Sequence, residues 1–291
     1  MHTPKRYLLE IEHRVRRLRD RAIQAGHRAR KPADYEAFLT RVRPLVENKV
    51  AAFTVAFNVT QCLELLSSGI SRFGPGTTLI VCDNSPTAAA RQEIGDLCGQ
   101  RHVPYISLPR PPLERIVAKS TTRSHAMALT WIFYRLVRPL RPEVFAFLDH
   151  DMVPLAPFDF RDLLDSQEVY GLKIPIDGDR ADARTAWALW AGYCIFSFRA
   201  TAHLHFDFGT DFLRGLDTGG QNWTVLYRHL DPGSLRFARY DRAGIPVEGA
   251  APFAFERIDD WLHINGVARA ANRQRRLDMA VLALRQIAKG S

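Results

Sequence analysis

The stretch "FAFLDHDMVPL" (145–155) decides how the rest of the chain is read. Val144 to Leu148 form an unbroken apolar run, and Asp149, His150 and Asp151 then stand side by side before Met152, Val153 and Pro154. Apolar residues without alternation mark a strand covered on both faces, as in a parallel sheet with helices on either side. Two carboxylates one residue apart leave such a strand on the same side, or splay on a tight turn to share a cation. Mg²⁺ and Mn²⁺ take oxygen ligands, and Mg²⁺ is commonly held by one or two carboxylates together with phosphate oxygens. An Asp pair in a turn is otherwise ordinary; here its position at the end of a buried strand is what points to chemistry.

Working outward, the same alternation of elements recurs upstream. "AAFTVAFN" (51–58), "TTLIVCD" (77–83) and "VPYISL" (103–108) read as strands. Between them lie helical spacings over "VTQCLELLSSGI" and "TAAARQEIGDLC", the second with Ser85 as N-cap and Pro86 as first helical residue. A longer helix is expected from about Ser120 to Val137, stopped by Pro139. Strands alternating with helices imply an α/β fold with a mostly parallel central sheet flanked by helices, which binds ligands at the carboxyl ends of its strands. Asn58, Asp83, Asn84 and Asp149 to Asp151 all fall at that rim. Downstream, "EVYGLKIPI" (168–176), "GYCIFSF" (192–198), "LRFARYD" (235–241) and "WLHIN" (261–265) read as strands, and 273–288 as a closing helix.

Ahead of the sheet, residues 1–48 read as a helical extension. Leu8, Ile11, Val15, Leu18 and Ala22 recur at three- and four-residue steps among arginines, an apolar stripe expected to pack on its own domain or on a second subunit. The chain has 291 residues, 46% of them apolar, and a formal charge of +9. That charge favours anionic partners without choosing among them. The N-terminus is charged throughout, with no apolar signal core. The central apolar run carries Arg135 and is too short to span a bilayer. The expectation is a cytoplasmic protein, with the inner face of the membrane as a candidate location. Cys62, Cys82, Cys98 and Cys194 form no C-x-x-C pair and sit in apolar surroundings, so neither a zinc site nor a disulfide framework is expected.

"VAFNV", "LIVCDNSP" and "FAFLDHDMVPL" resemble, in order, the first strand, the second strand and the D-x-D strand of GT-A fold (Rossmann-like) glycosyltransferases, most closely the family-2-like members. The resemblance covers about residues 51–160, and "DNSP" stands where that family commonly has Asp-Asp or Asp-Asn before Gly-Ser. It implies a GT-A domain over 49–291, with a nucleotide-sugar-binding half (49–160) and an acceptor-binding half (161–291). It further implies a metal-dependent transfer of sugar from a nucleoside-diphosphate sugar (UDP or GDP) to an acceptor hydroxyl on a glycan, lipid-linked or small molecule. Asp83 would contact base or ribose, with Asn58, Asn84 and His150 nearby. Asp149 would approach ribose or metal, and Asp151 would ligate Mn²⁺ or Mg²⁺. Lys119, Arg123, Ser124 and His125, at a helix start that attracts anions, would face the diphosphate.

On the acceptor side, Trp187, Trp190 and Trp223 are candidates for stacking on a sugar, although buried tryptophans are more often core. Asp217, ahead of Gly219 and Gly220, would be the base of an inverting enzyme; Asp177, Asp211 and Asp259 are the alternatives, and a retaining enzyme needs no such base. His263 would complete the metal shell, with Asp259 and Asp260 competing for that place. Two other functions compete. A nucleotidyltransferase would also use paired carboxylates and metal, but "FNVTQCLELL" lacks the Gly-rich basic loop, and no Walker or G-x-G-x-x-G motif is present. A nucleic-acid or acidic-membrane binding protein would use "RVRRLRDR"; no nucleic-acid partner is expected, because those arginines alternate with the apolar stripe. Peripheral membrane contact and a homodimer are the remaining candidate associations.

Overall fold

The computed structural model describes residues 4–112, 121–175, 186–241, 255–267 and 273–290. Its centre is a six-stranded sheet in the order β3-β2-β1-β4-β7-β6. The strands are β1 (Val50–Ala56), β2 (Thr77–Asp83), β3 (Tyr105–Ser107), β4 (Val144–Asp149), β6 (Val169–Pro175) and β7 (Trp187–Ser197). β3, β2, β1 and β4 are mutually parallel, and β7 runs antiparallel to both β4 and β6. The sheet is therefore mostly parallel, as the strand–helix alternation requires.

The unbroken apolar runs have a simple physical reason. In β1, Ala51, Phe53 and Val55 join one apolar core, while Val50, Ala52 and Ala56 join a second. In β4, Phe145 and Phe147 go to the first, and Val144, Ala146 and Leu148 to the second. Strand side chains alternate between faces, and here both faces are dry. The first is covered by α2 (Tyr35–Val46), through Phe38 and Val42, and by α5 (Thr121–Ile132), through Trp131. The second is covered by α3 (Thr60–Phe73), through Leu63, Leu66 and Ile70, and by α4 (Ala88–Gln100), through Ile94 and Cys98. Phe145, Phe147, Phe196 and Phe208 meet at ring separations of 5.0–6.5 Å. All four cysteines are free and buried, as their surroundings suggest.

Several local expectations are corrected. The cap of α4 is Thr87, whose hydroxyl accepts from Ala90 N at 3.2 Å, and Ser85 and Pro86 precede the helix. Pro139 does not end the central helix: a π-helical stretch, Phe133–Val137, leads into a further turn, Arg138–Leu140. A wider turn there suits a residue with no N–H to give. Of 235–241 only Tyr240–Asp241 is strand. The strand expected at 192–198 begins at Trp187, and residues 176–185, with Asp177, lie outside the described residues.

α1 (Pro4–Ala29) is attached differently from its sequence pattern. Ile11, Val15 and Leu18 face outward, 42%, 62% and 67% exposed. The contacts come from its second half. Ile23 packs on Met127 of α5, Gln24 Nε2 donates to Asp207 Oδ1 at 2.9 Å, and His27 Nε2 lies 2.8 Å from the Pro109 carbonyl. The periodicity located an apolar stripe, but which face is covered depends on where the helix end is anchored. No described helix is long and apolar enough to cross a membrane.

A small second sheet, β5-β10-β9-β8, flanks the first. β5 (Met152–Pro154) follows the acidic pair directly and pairs antiparallel with β10 (Trp261–Ile264), which pairs with β9 (Phe255–Ile258) and through it with β8 (Tyr240–Asp241).

Candidate metal and nucleotide site

The strand order reverses between β1 and β4, because β2 follows β1 on one side and β4 enters on the other. Open α/β sheets bind ligands in the crevice at such a switch point, outside the carboxyl ends of the strands. Val55 is level with Asp149 and Ala56 with Asp83, so the polar residues that end three strands share one edge. Asn58, just past β1, adopts φ 57°, a left-handed conformation that Asn tolerates better than most residues.

Asp149, Asp151 and His263 converge, with one ligand atom from each lying within 4.8 Å of the other two. His263 Nε2 is 3.6 Å from Asp151 Oδ1. This meeting is made by the second sheet. Register pairs His263 with Met152, and Ile264 N donates to the Asp151 carbonyl at 3.0 Å. On its other nitrogen, His263 Nδ1 sits 2.7 Å from Glu256 Oε2, and Glu256 Oε1 accepts from the Tyr240 hydroxyl at 2.6 Å. A carboxylate on Nδ1 fixes the tautomer that turns the Nε2 lone pair toward the two aspartates. Burial alone would push the His263 pKa down, but Asp151, the Glu256 hydrogen bond and Asp149 more than offset it, and the net direction is up. Glu256 moves down, chiefly through its hydrogen bond to His263. The surrounding carboxylates thus favour positive charge at this position. Asp149-x-Asp151 fits a D-x-D motif, and two carboxylates with one imidazole are a suitable donor set for Mn²⁺ or Mg²⁺.

The other expected site residues divide. His125 Nε2 lies 3.5 Å from Asp149 Oδ1, and Ser124 Oγ accepts from Asn84 Nδ2 at 2.9 Å, so the start of α5 does meet the rim. His150 has a buried Nε2 with no hydrogen-bond partner. Arg123 lies 3.8 Å from Asp20 of α1. Lys119 lies outside the described residues. Asp83 has a different task from the one implied: it is fully buried, Oδ1 accepts from Ser85 N at 2.7 Å, and Oδ2 accepts from the Tyr105 hydroxyl at 2.9 Å. As placed, that carboxylate fixes the turn after β2, and Asn84 is the residue that faces the rim.

Trp187 is also a correction. It is 2% exposed and packs on Tyr227 and Phe237, so no sugar can stack on it. Trp190 is partly exposed and stands edge-on to His263, ring centres 4.8 Å apart, beside the candidate metal cluster. Trp223 is partly buried against the core.

Asp217 is exposed at the start of a turn. Gly219 there has φ 90°, and a Cβ on Gly220 would collide with Leu216, so both glycines serve the turn itself and not an open space for a ligand. Of the alternative bases, Asp211 is 1% exposed and bound by Arg214 Nη1 at 2.7 Å. Asp259 accepts from the Tyr170 hydroxyl at 2.9 Å and from Arg239 N at 2.8 Å. Asp260, a competing ligand by sequence, pairs instead with Arg257 at 2.6 Å. These three are committed to structure.

Three residues that sequence reasoning missed also shape the site. Glu256 orients His263. Arg273, at the start of α6 (Arg273–Gly290), reaches the Asn58 carbonyl at 3.4 Å. Gly192 lies under the acidic pair, where a Cβ would fall 2.6 Å from Asp149 Oδ2 and would also strike the Trp190 ring. A glycine inside a strand is a signal of close approach, and this one was available in the sequence. Gly192→Ala is expected to displace Asp149 and weaken divalent-cation binding by about 10- to 100-fold, the cost of disturbing what orients a metal ligand. Isothermal titration with Mn²⁺, alongside circular dichroism of the variant, measures it.

No protein-family model matches the chain, and no curated protein matches it. Solved structures do, at low identity. One is the galactosyltransferase LgtC with donor and acceptor sugar analogs (14% identity, 52% of this chain and 58% of that one, TM-score 0.37). Another is glucosyl-3-phosphoglycerate synthase from Mycobacterium tuberculosis with Mn²⁺ and UDP-glucose (15%, 58% and 62%, TM-score 0.32). A third is a mannosyltransferase from Pyrobaculum calidifontis with GDP-mannose and Mn²⁺ (13%, 62% and 55%, TM-score 0.34). The chain spans less than two thirds of the length of each. These likenesses are partial and concern the fold.

Proposed function

We propose that this protein is a metal-dependent glycosyltransferase that moves a sugar from a nucleoside-diphosphate sugar to an acceptor hydroxyl, by inversion. One observation carries the reading: two carboxylates and an oriented imidazole converge at the switch point of a mostly parallel sheet, where a nucleotide would lie. Asp149, Asp151 and His263 would hold Mn²⁺ or Mg²⁺, which when bound supplies Lewis-acid neutralisation of the leaving diphosphate. Asn84, Ser124 and His125 line the diphosphate end, and His150 Nε2 is a ready partner for the donor. Glu256 keeps His263 in the ligating tautomer. Asp217 takes the proton of the acceptor hydroxyl.

Thermal shift with UDP or GDP tests this. A nucleoside diphosphate at about 100 times its Kd adds about 2.7 kcal/mol, and that gain is expected only with Mn²⁺ present. Stabilisation by an oligonucleotide, and none by either diphosphate with metal, would overturn the reading.

The oriented histidine adds a pH dependence. Ligation requires the neutral imidazole, while the surrounding carboxylates raise its pKa in the metal-free protein. Proton and metal therefore compete. Mn²⁺ affinity is expected to fall as pH drops through that raised pKa and to level off above it. Glu256→Gln is expected to lower Mn²⁺ affinity by about 10- to 100-fold and to move the pH midpoint down. Manganese titration followed by electron paramagnetic resonance at several pH values reads both.

A further inference from the structure

A cavity of about 210 Å³ lies between α1, the start of α5 and the 207–221 segment. The metal ligands do not line it, but Arg123 does, one residue before the Ser124 and His125 that meet the rim. Asp217 lines it as well.

Arg17 and Arg21 stand four residues apart on α1, so their side chains share one helix face, and both line this cavity. Among the described residues, neither has a carboxylate within ion-pair distance: Asp20, Asp207 and Asp211 have other partners, and Asp217, which shares the lining, pairs with neither. Asp20 is 3.3 Å from Arg19 and 3.8 Å from Arg123, and Asp211 is held by Arg214 at 2.7 Å. Asp207 Oδ1 already accepts from Gln24 Nε2 and Gly209 N, both at 2.9 Å. Arg17 Nε is buried with no hydrogen-bond partner. Burial, and then the like charge of Arg21, push the Arg17 pKa below its ordinary value. Two guanidiniums on one helix face, the exposed Arg21 and the half-buried Arg17 with its unsatisfied donor, are an arrangement that an oxyanion relieves, since arginine forks match phosphate oxygens.

We propose that this cavity binds a phosphate-class oxyanion carried by the acceptor, with Arg17 and Arg21 holding its oxygens. The placement of an acceptor hydroxyl beside Asp217 in the same cavity rests on the glycosyltransferase reading; the oxyanion site does not. The N-terminal helix is then a wall of the acceptor site and selects what enters it. The phosphate belongs either to a soluble phosphorylated molecule or to a lipid headgroup; Val15 and Leu18, exposed on the same helix, would touch the bilayer in the second case.

The test uses the full chain in excess EDTA, so that no metal-held phosphate contributes. Titrations with inorganic phosphate and with glucose 6-phosphate are expected to show binding, weakened roughly tenfold or more in Arg17→Gln/Arg21→Gln, since hydrogen bonds to charged groups are among the strongest lost. Asp151→Asn is expected to leave this binding unchanged. Absence of binding to millimolar phosphate, to glucose 6-phosphate and to phosphatidic acid vesicles alike, or equal affinity in a double variant that folds by circular dichroism, overturns the proposal. Phosphatidylcholine vesicles with and without phosphatidic acid separate the sources. Sedimentation with phosphatidic acid, reduced by the double variant, puts the phosphate on a lipid. Binding to the soluble probes without sedimentation puts it on a soluble molecule. Sedimentation that the double variant does not reduce, with no binding of the soluble probes, overturns the site. Phosphate binding that behaves as expected, beside a failure of nucleoside diphosphates to bind with Mn²⁺, removes the glycosyltransferase reading and leaves the oxyanion site standing.

Discussion

Asp151→Asn abolishes Mn²⁺-dependent nucleoside-diphosphate binding while the fold persists: that is the expected result with the largest effect on affinity. Asp151 is 9% exposed, and one of its oxygens lies 3.6 Å from His263 Nε2. The substitution keeps side-chain volume and leaves the main-chain bond from Ile264 N to the Asp151 carbonyl in place, so β5 and β10 remain paired. What is lost is one anionic oxygen from the three-residue candidate cluster. Altering an outer partner of a metal ligand costs about 10- to 100-fold in affinity, and removing a ligand's charge costs more. Calorimetry with UDP and GDP, each with and without Mn²⁺, checks it. Wild-type affinity in the variant would end the assignment of the metal to this cluster.

That the acidic pair ends a buried strand was legible from the sequence, because a run such as Val144 to Leu148 has few alternatives to a strand dry on both faces. What completes the cluster was legible only in part. His263 stood out as a histidine in the short strand 261–265, ahead of Gly266, but its meeting with Asp151 depends on β5, a strand of three residues with no periodicity to read. Glu256 has no signal at all until β9 and β10 are paired. Burial was the other blind spot. Trp187 and Asp83 are residue types that suit a ligand, and both are spent on the protein itself, one on the core around Tyr227 and one on the turn at Ser85. The α1 stripe does not pack on its own domain for a related reason: spacing identifies an apolar face, whereas the anchor points Ile23, Gln24 and His27 decide which way that face turns, here outward, where a second subunit is the remaining candidate cover. The glycines at 219 and 220 illustrate the same limit, since an open approach and a tight turn have the same sequence.

The second large effect is on turnover. In the proposed transfer, with the diphosphate held at one end, the remaining barrier on the acceptor side would be a hydroxyl that is a poor nucleophile while protonated. A carboxylate within reach takes that proton as the new bond forms, typically worth 10²–10⁴-fold in rate. The structure narrows the choice of carboxylate. Asp211 is buried against Arg214, and Asp259 is held by Tyr170 and the Arg239 amide, so neither is free to receive a proton from a substrate. Asp217 is exposed, lines the cavity beside α5, and follows a segment fixed by the Asp211 and Leu216 bridge, which limits where its side chain can go. Asp217→Asn is therefore expected to keep donor and Mn²⁺ affinity and to lose roughly 10²–10⁴-fold in kcat, because the amide has the same shape and cannot accept the proton. A fall in kcat with unchanged donor binding separates a role in the transition state from one in binding. Near wild-type turnover in Asp217→Asn would place the base at Asp177, or would make the enzyme a retaining one, for which the product's anomeric configuration by nuclear magnetic resonance is the direct readout.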